Sequence, residues 1–245
     1  MTGGFIRALW RLWAVQGAWN YERMTGVGMG HAAEPLLEDL KSVDPARHAE
    51  ASVRAAEYFN SHPYLAGLAL GALVRAEYDL VPGPQITRLR AALTSPLGAL
   101  GDQFFWAGVV PAAVGLAILG VIAGLGVWAI LAVLLLYNAL RLATGIWALK
   151  TGLANGMRVG TAIGDSWLPR VATPAGLVAG LVVGLAVPLA ADWLLEPEGL
   201  QAVGVTGLTL LAGLGAAWKL GPRITAVRFG LVAIGLALIL AWGLP

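Results

Sequence analysis

Residues 103–140 read QFFWAGVVPAAVGLAILGVIAGLGVWAILAVLLLYNAL and contain no Asp, Glu, Lys or Arg. A helix needs about 20 apolar residues to cross a hydrocarbon core of about 30 Å, so this run is too long for one crossing. It predicts two spans or a buried hairpin, broken where glycines gather in residues 120–126. Three more uncharged runs follow, at residues 171–191, 199–218 and 229–245. The expected fold class is therefore an all-α polytopic membrane protein with N-terminal amphipathic helices and about five hydrophobic helices or half-helices.

The composition agrees. Of 245 residues, 58% are apolar and only 12% charged, with a mean hydropathy of +0.74, against about half and a quarter in an average soluble domain. Nineteen of the thirty charged residues lie between Arg7 and Asp102. The organisation predicted is an amphipathic helical region over 1–102 and a transmembrane helical region over 103–245.

Charge between the runs predicts orientation. Arg141, Lys150, Arg158 and Arg170 are read as one basic connection, and Lys219, Arg223 and Arg228 as another. Asp192, Glu196 and Glu198 lie between them. Cytoplasmic connections carry the excess of Lys and Arg, which puts the N-terminus in the cytoplasm and the C-terminus outside. No cleavable leader is expected, because Arg7, Arg11, Glu22 and Arg23 interrupt the first thirty residues.

Within the polar front, Phe5, Leu9, Leu12, Trp13 and Trp19 recur at helical spacing over residues 4–19, with Arg7 and Arg11 on another side. This suits an amphipathic helix at a membrane surface or a core-facing helix of an ordinary domain. A helix is expected over 46–59, and another from Pro63 to about Glu77 with Ser61 or His62 as cap. Pro82, Gly83 and Pro84 predict a loop. Glycines at 152, 156, 160 and 164, and at 176, 180 and 184, clear a helix face for close backbone contact, within the chain or between subunits.

Most enzyme chemistries find no residues here. With no cysteine, there is no thiolate metal site, Cys nucleophile or CxxC pair. His31, His48 and His62 lack metal-ligand spacing, and His62 before Pro63 reads as a cap or turn residue rather than a base. No metal or other cofactor is expected. A net charge of +2 comes from nearly balanced signs and gives no basic stripe for nucleic acid. An embedded enzyme would need carboxylates or histidines inside the spans, and the uncharged runs hold none.

Three polar clusters remain: residues 16–24, 58–63 and 95–106. Polar groups near a bilayer are costly and are met by partners, ions or substrates. In the first cluster Gln16, Asn20 and Arg23 share a face if the segment is helical, flanked by Trp19 and Tyr21. Amide, carboxylate and aromatic groups together suit a sugar, although Glu22 and Arg23 also suit a structural ion pair. In the third, Pro96, Gly98, Gly101 and Asp102 read as a non-helical approach in which Asp102 caps the helix entering at Gln103, or contacts a substrate or partner.

At these clusters the chain resembles the IID component of mannose, fructose and sorbose family sugar permeases of the bacterial phosphotransferase system. The matching stretches are 16–24 (QGAWNYERM), 57–64 (EYFNSHPY) and 96–106 (PLGALGDQFFW), followed by Tyr137-Asn138 and Arg141-Leu142. The resemblance covers essentially the whole chain. It departs at residues 94–99 (TSPLGA), at Gln103, and in a short segment over 192–198.

The resemblance implies a multi-pass subunit of the bacterial cytoplasmic membrane, assembled with a IIC subunit to form the path of a hexose-type sugar through the lipid bilayer. IIA and IIB phosphocarrier proteins supply the phosphate, and no residue of this chain is phosphorylated or catalytic. It implies that Asn20 and Glu22 hydrogen-bond the sugar, with Trp19, Arg23 and Gln16 as neighbours. Asn60, His62, Pro63, Pro96, Gly101 and Asp102 are the motif residues of structural role. A scaffold or regulatory subunit of the same descent, without transport, is the alternative expectation.

Overall fold

The structure is a computed structural model that describes residues 2–195, which are mostly helical and contain no strand. The first compact unit is Met1–Val183; of the second, Gly184–Pro245, only the end of one helix is described. The expected hydrophobic runs at 199–218 and 229–245 lie outside the described residues.

α1 (Thr2–Trp13) buries Ala8, Leu9 and Leu12 against α2 (Gly26–Val43). The helix expected over 4–19 stops at Trp13, and Val15–Ala18 forms a 3₁₀ turn. Gln16, Asn20 and Arg23 therefore do not share a helix face.

α2 was not anticipated. Gly26, Gly28, Gly30 and Pro35 are poor helix formers, but Met29, Ala32, Ala33, Leu36, Leu37 and Leu40 repeat at helical spacing and are buried. Pro35 has no N–H for the carbonyl of His31 four residues earlier, and the Arg11 guanidinium donates to that carbonyl at 2.8 Å instead. Arg11 also pairs with Glu34 at 2.6 Å, and Arg7 with Glu38 at 2.8 Å.

α3 (Pro45–Ala55) is shorter than the expected 46–59. Pro45 occupies its first position, and the Asp44 carboxylate accepts from Arg47 N–H at 2.9 Å. Beyond its end, the buried Arg90 donates to the carbonyls of Ala55 (2.9 Å) and Glu57 (3.0 Å). The capping cation comes from a distant helix, so the local sequence does not reveal where α3 ends.

α4 (Ala66–Tyr78) starts three residues later than expected and is buried all round. Neither Ser61 nor His62 caps its first turn with a side chain; His62 Nδ1 instead accepts from Tyr64 N–H at 3.3 Å. α4 packs most closely on α7 (Val127–Asn155). Gly67, Gly71 and Gly152 make this approach, since a Cβ on Gly71 would stand 2.5 Å from Leu153 N and one on Gly152 would strike the Leu68 carbonyl. Of the predicted glycine rows, Gly152 thus packs within the chain, whereas Gly160, Gly164, Gly176, Gly180 and Gly184 meet no described atom within 4 Å. At the end of α4, the Glu77 carboxylate takes Arg54 at 2.8 and 3.0 Å and Arg47 at 3.0 Å.

Among the described residues three helical stretches are long and apolar enough to span a membrane: Gly83–Leu125, Val127–Gly164 and Leu168–Val187. The chain is a multi-pass membrane protein. α5 (Gly83–Gly101) runs without interruption into a π-helical segment at Asp102–Val109, then α6 (Val110–Gly120) and a second π-helical segment at Val121–Leu125. This corrects two expectations. The loop at Pro82 ends at once, because Gly83 already opens α5, and the stretch from Pro96 to Asp102 is helical. Asp102 has φ −65° and ψ −42° and caps nothing.

The break does fall where expected, at Gly124 (φ +86°) and Gly126 (φ +54°), conformations open to glycine and costly for other residues. α7 then contains Arg141 and Lys150, which were read as connection residues. A 3₁₀ turn at Gly156–Arg158 and α8 (Val159–Gly164) lead to α9 (Leu168–Leu195). Trp128, Leu135, Leu136, Leu177 and Leu181 on α7 and α9 are largely exposed, as lipid-facing side chains should be.

Candidate functional site

The sequence clusters form two adjoining parts. The first is a hairpin over residues 19–25. Asn20 builds it: its Oδ1 accepts from Glu22 N–H (3.1 Å) and Arg23 N–H (2.9 Å), and its Nδ2 donates to the Ala18 carbonyl at 3.3 Å. Asn20 and Met24 exchange backbone bonds of 2.8 and 3.3 Å, with Met24 at φ +52°.

The second cluster fixes the hairpin. Phe59 N–H donates to the Arg23 carbonyl at 3.3 Å, while Thr25 N–H and Oγ1 donate to the Phe59 carbonyl at 3.0 and 2.7 Å. Phe59 is buried, and the Arg90 guanidinium lies 5.7 Å from its ring centre. Gly26 and Gly28 admit the carbonyls of Glu57 and Val15 where a Cβ would collide. The hairpin is thereby held while its outer side chains stay free: Trp19 (43% exposed) meets Tyr21 (86% exposed) edge to face at 4.8 Å, and Gln16, Glu22 and Arg23 are exposed. Among the described residues Glu22 and Arg23 make no ion pair, with each other or with a third residue.

The second part is an aromatic cluster. His62, 1% exposed, stacks on Phe105 with ring centres 5.0 Å apart and planes 15° apart, and meets Trp106 at 5.0 Å and Tyr64 at 4.9 Å. Gly101 makes room for it, because a Cβ there would overlap the His62 side chain. Burial drives the His62 pKa down to about 4, so the ring is neutral at pH 7. With Nδ1 accepting, Nε2 carries the proton, and it has no partner among the described residues.

Tyr64 links this cluster to α7 through its hydroxyl, 2.9 Å from that of Tyr137, and through its ring, which lies 4.9 Å from the Arg141 guanidinium. Arg141 also donates to the Trp13 carbonyl at 3.2 Å. Gly145 leaves space for the Trp13 indole, and Gln16, Trp13, Pro63, Tyr64 and Arg141 line a small cavity. Trp13 Nε1, Arg141 Nε and Thr144 Oγ1 are buried donors without a described partner.

Of the other named residues, Asn60 and Pro96 are exposed, and Asp102 is exposed and unpaired among the described residues. The Gln103 amide reaches Thr173 Oγ1 on α9 at 3.4 Å. Sequence reasoning did not name Trp13, Tyr64, Phe105, Trp106, Tyr137 or Arg141 as site residues. The last five were visible only as letters of the matching stretches, with no periodicity to bring them together. Among the described residues no group of three His, Asp or Glu side chains is placed to hold a metal ion. The arrangement offers stacking faces, neutral donors and, on the hairpin, the exposed Glu22 carboxylate, which suits recognition of a polar, ring-shaped solute.

The sequence pattern of the "PTS system mannose/fructose/sorbose family IID component" matches residues 2–194. The mannose-specific EIID component of Escherichia coli K12 is 28% identical over 172 residues, 66% of this chain and 59% of the relative. The fructose permease IID component of Bacillus subtilis is 32% identical over 164 residues, 63% of this chain and 56% of the relative. The sorbose-specific EIID component of Klebsiella pneumoniae is 27% identical over 172 residues, 66% and 61%. The chain thus spans about three fifths of the length of these curated relatives. Among solved structures, a chain described as a membrane protein superposes with a TM-score of 0.73 at 22% identity, covering 99% of this chain and 96% of that one. A chain from the complex of the mannose transporter ManYZ with microcin E492 gives 0.58 at 22% identity, with the same coverage. Both likenesses concern the fold alone.

Proposed function

Because the chain belongs to the mannose/fructose/sorbose family of IID components of the phosphotransferase system, we propose that it is the membrane subunit that completes, with a IIC subunit, the path of a hexose-type sugar. The observation that carries this reading is the hairpin over residues 19–25, clamped from behind by Phe59 yet presenting Trp19, Tyr21, Glu22 and Arg23 outward. A hydrogen-bonding carboxylate beside flat aromatic faces is what a pyranose needs, since its hydroxyls want acceptors and its C–H face wants an aromatic surface.

Glu22 supplies the acceptor. Asn20 closes the turn with Oδ1, and its Nδ2 has one hydrogen left to donate. Trp19, Arg23 and Gln16 border the sugar. The motifs at 16–24 and 57–64 lie before the first spanning stretch, and from α7 Tyr137 and Arg141 reach back to brace Tyr64. The N-terminus is cytoplasmic and the C-terminus external, in the bacterial inner membrane.

The chain is not itself catalytic. Phosphate passes through the IIA and IIB proteins, and the His62 imidazole is too enclosed to meet a phosphate donor. Co-expression with a IIC subunit and the two phosphocarriers tests the proposal by uptake of radiolabelled hexoses. A stable complex and uptake that falls at least tenfold in Glu22→Gln, with assembly intact, are expected. Failure to form the complex would overturn the reading, and full uptake by Glu22→Gln would remove Glu22 from the path.

A further inference from the structure

α6, α7 and α9 enclose an open groove of about 460 Å³ walled by apolar side chains, including Leu116, Val133, Leu136, Pro174 and Val178. Among the described residues its one polar lining residue, Tyr137, has its hydroxyl bonded to Tyr64. Val133 to Leu140 and Val171 to Val178 are seven steps each, so the groove runs about 10 Å along both helices at ~1.5 Å per residue. That is about two thirds of one leaflet of a hydrocarbon core of roughly 30 Å.

One end of the groove carries positive charge. Arg170 extends the α9 stripe of Val171, Pro174, Ala175 and Val178 by one helical step, four residues from Pro174. It is exposed and has no ion-pair partner among the described residues. Arg141 likewise follows Leu140 on α7, but it is committed to Tyr64 and the Trp13 carbonyl. Asp102 lies two residues before Phe104, about half a turn off the groove side of its helix. An apolar slot of this length, opening among spanning helices and ending at a free cation, matches an acyl chain attached to an anionic head.

We propose that the groove holds one acyl chain of a glycerophospholipid whose phosphate sits on Arg170. The chain contributes dispersion contacts along the slot, and the guanidinium gives a charge-assisted bond to the phosphodiester. This occupant is independent of the sugar reading.

Native mass spectrometry of the full-length chain, extracted from membranes in mild detergent, tests the proposal. Wild type should carry one phospholipid that survives delipidation. Ala112→Phe, which fills the slot, should reduce that occupancy at least tenfold, and Arg170→Gln several-fold, while Arg170→Lys should retain it. Should Ala112→Phe fail to fold, Ala112→Cys can be folded first and blocked afterwards with a bulky thiol reagent, because the chain has no other cysteine. Lipid-free wild type, or equal retention in the filled and open proteins, would overturn the proposal. So would efficient crosslinking of a groove cysteine to a IIC subunit, a second copy or residues 196–245 of the same chain.

Discussion

Acidification should loosen the aromatic cluster through His62. The folded imidazole is buried between Phe105, Trp106 and Tyr64, with its pKa at about 4 against 6.5 for the free side chain. The unfolded state therefore binds more protons between these values, and stability falls as pH drops from about 6.5 and levels off below about 4. At pH 5 the unfolded ring is almost wholly protonated while the folded one is about nine tenths neutral, a cost of about 2 kcal/mol that grows to about 3 kcal/mol below pH 4. For a chain of this size 2 kcal/mol corresponds to roughly 4–8 °C in Tm. His62→Asn keeps an acceptor where Nδ1 now meets Tyr64 N–H but cannot titrate. Thermal unfolding in detergent at pH 7.5 and pH 5 should show the variant less stable at pH 7.5, having lost the stacking, but with a Tm that drops several degrees less on acidification. Other titrating groups act in both proteins, so the difference isolates His62. Equal drops would refute the claim that burial of a neutral imidazole sets the acid response.

Glu77→Ala leaves the guanidiniums of Arg47 and Arg54 without their shared carboxylate, and a loss of about 3–5 kcal/mol is expected in thermal or denaturant unfolding. Gly152→Leu should abolish a monodisperse protein on gel filtration, because α4 and α7 touch backbone to backbone there, whereas Gly160→Leu, facing no described atom, should elute like wild type. Asn20→Ala removes the acceptor of two hairpin N–H groups, at about 1–3 kcal/mol. Limited proteolysis should then cut between residues 19 and 25, while Glu22→Gln should stay as resistant as wild type.

The spans and their break were legible because they rest on charge exclusion and on two glycines with positive φ, both local properties. α2 and α5 were not. Each carries proline and glycine inside a helix, the usual mark of interruption, and in each the residue's reason lies far along the chain. Arg11 takes the carbonyl that Pro35 leaves free, and Gly101 is required by His62 rather than by a turn. Arg141 looked like a loop cation because a charge after an apolar run usually marks its end. It stays in the helix because the Tyr64 ring and the Trp13 carbonyl receive it. Trp13 and Arg141 are 128 residues apart, and no pattern in the sequence relates them.

The same geometry separates two kinds of residue within the matching stretches. Asn20, Phe59, His62, Gly101, Tyr64, Tyr137 and Arg141 turn most of their polar groups or close contacts inward, on one another or on nearby backbone. Changing any of them disturbs the support before it can alter recognition. Trp19, Tyr21, Glu22 and Arg23 are exposed on a turn whose backbone is already satisfied, so their substitution costs the fold little. A side chain that is exposed, held in place from behind and without a partner of its own can direct its binding energy at a ligand without first breaking an internal bond. Selectivity for one sugar over another should therefore vary with these four positions, and tolerance of the fold to mutation with the inward seven.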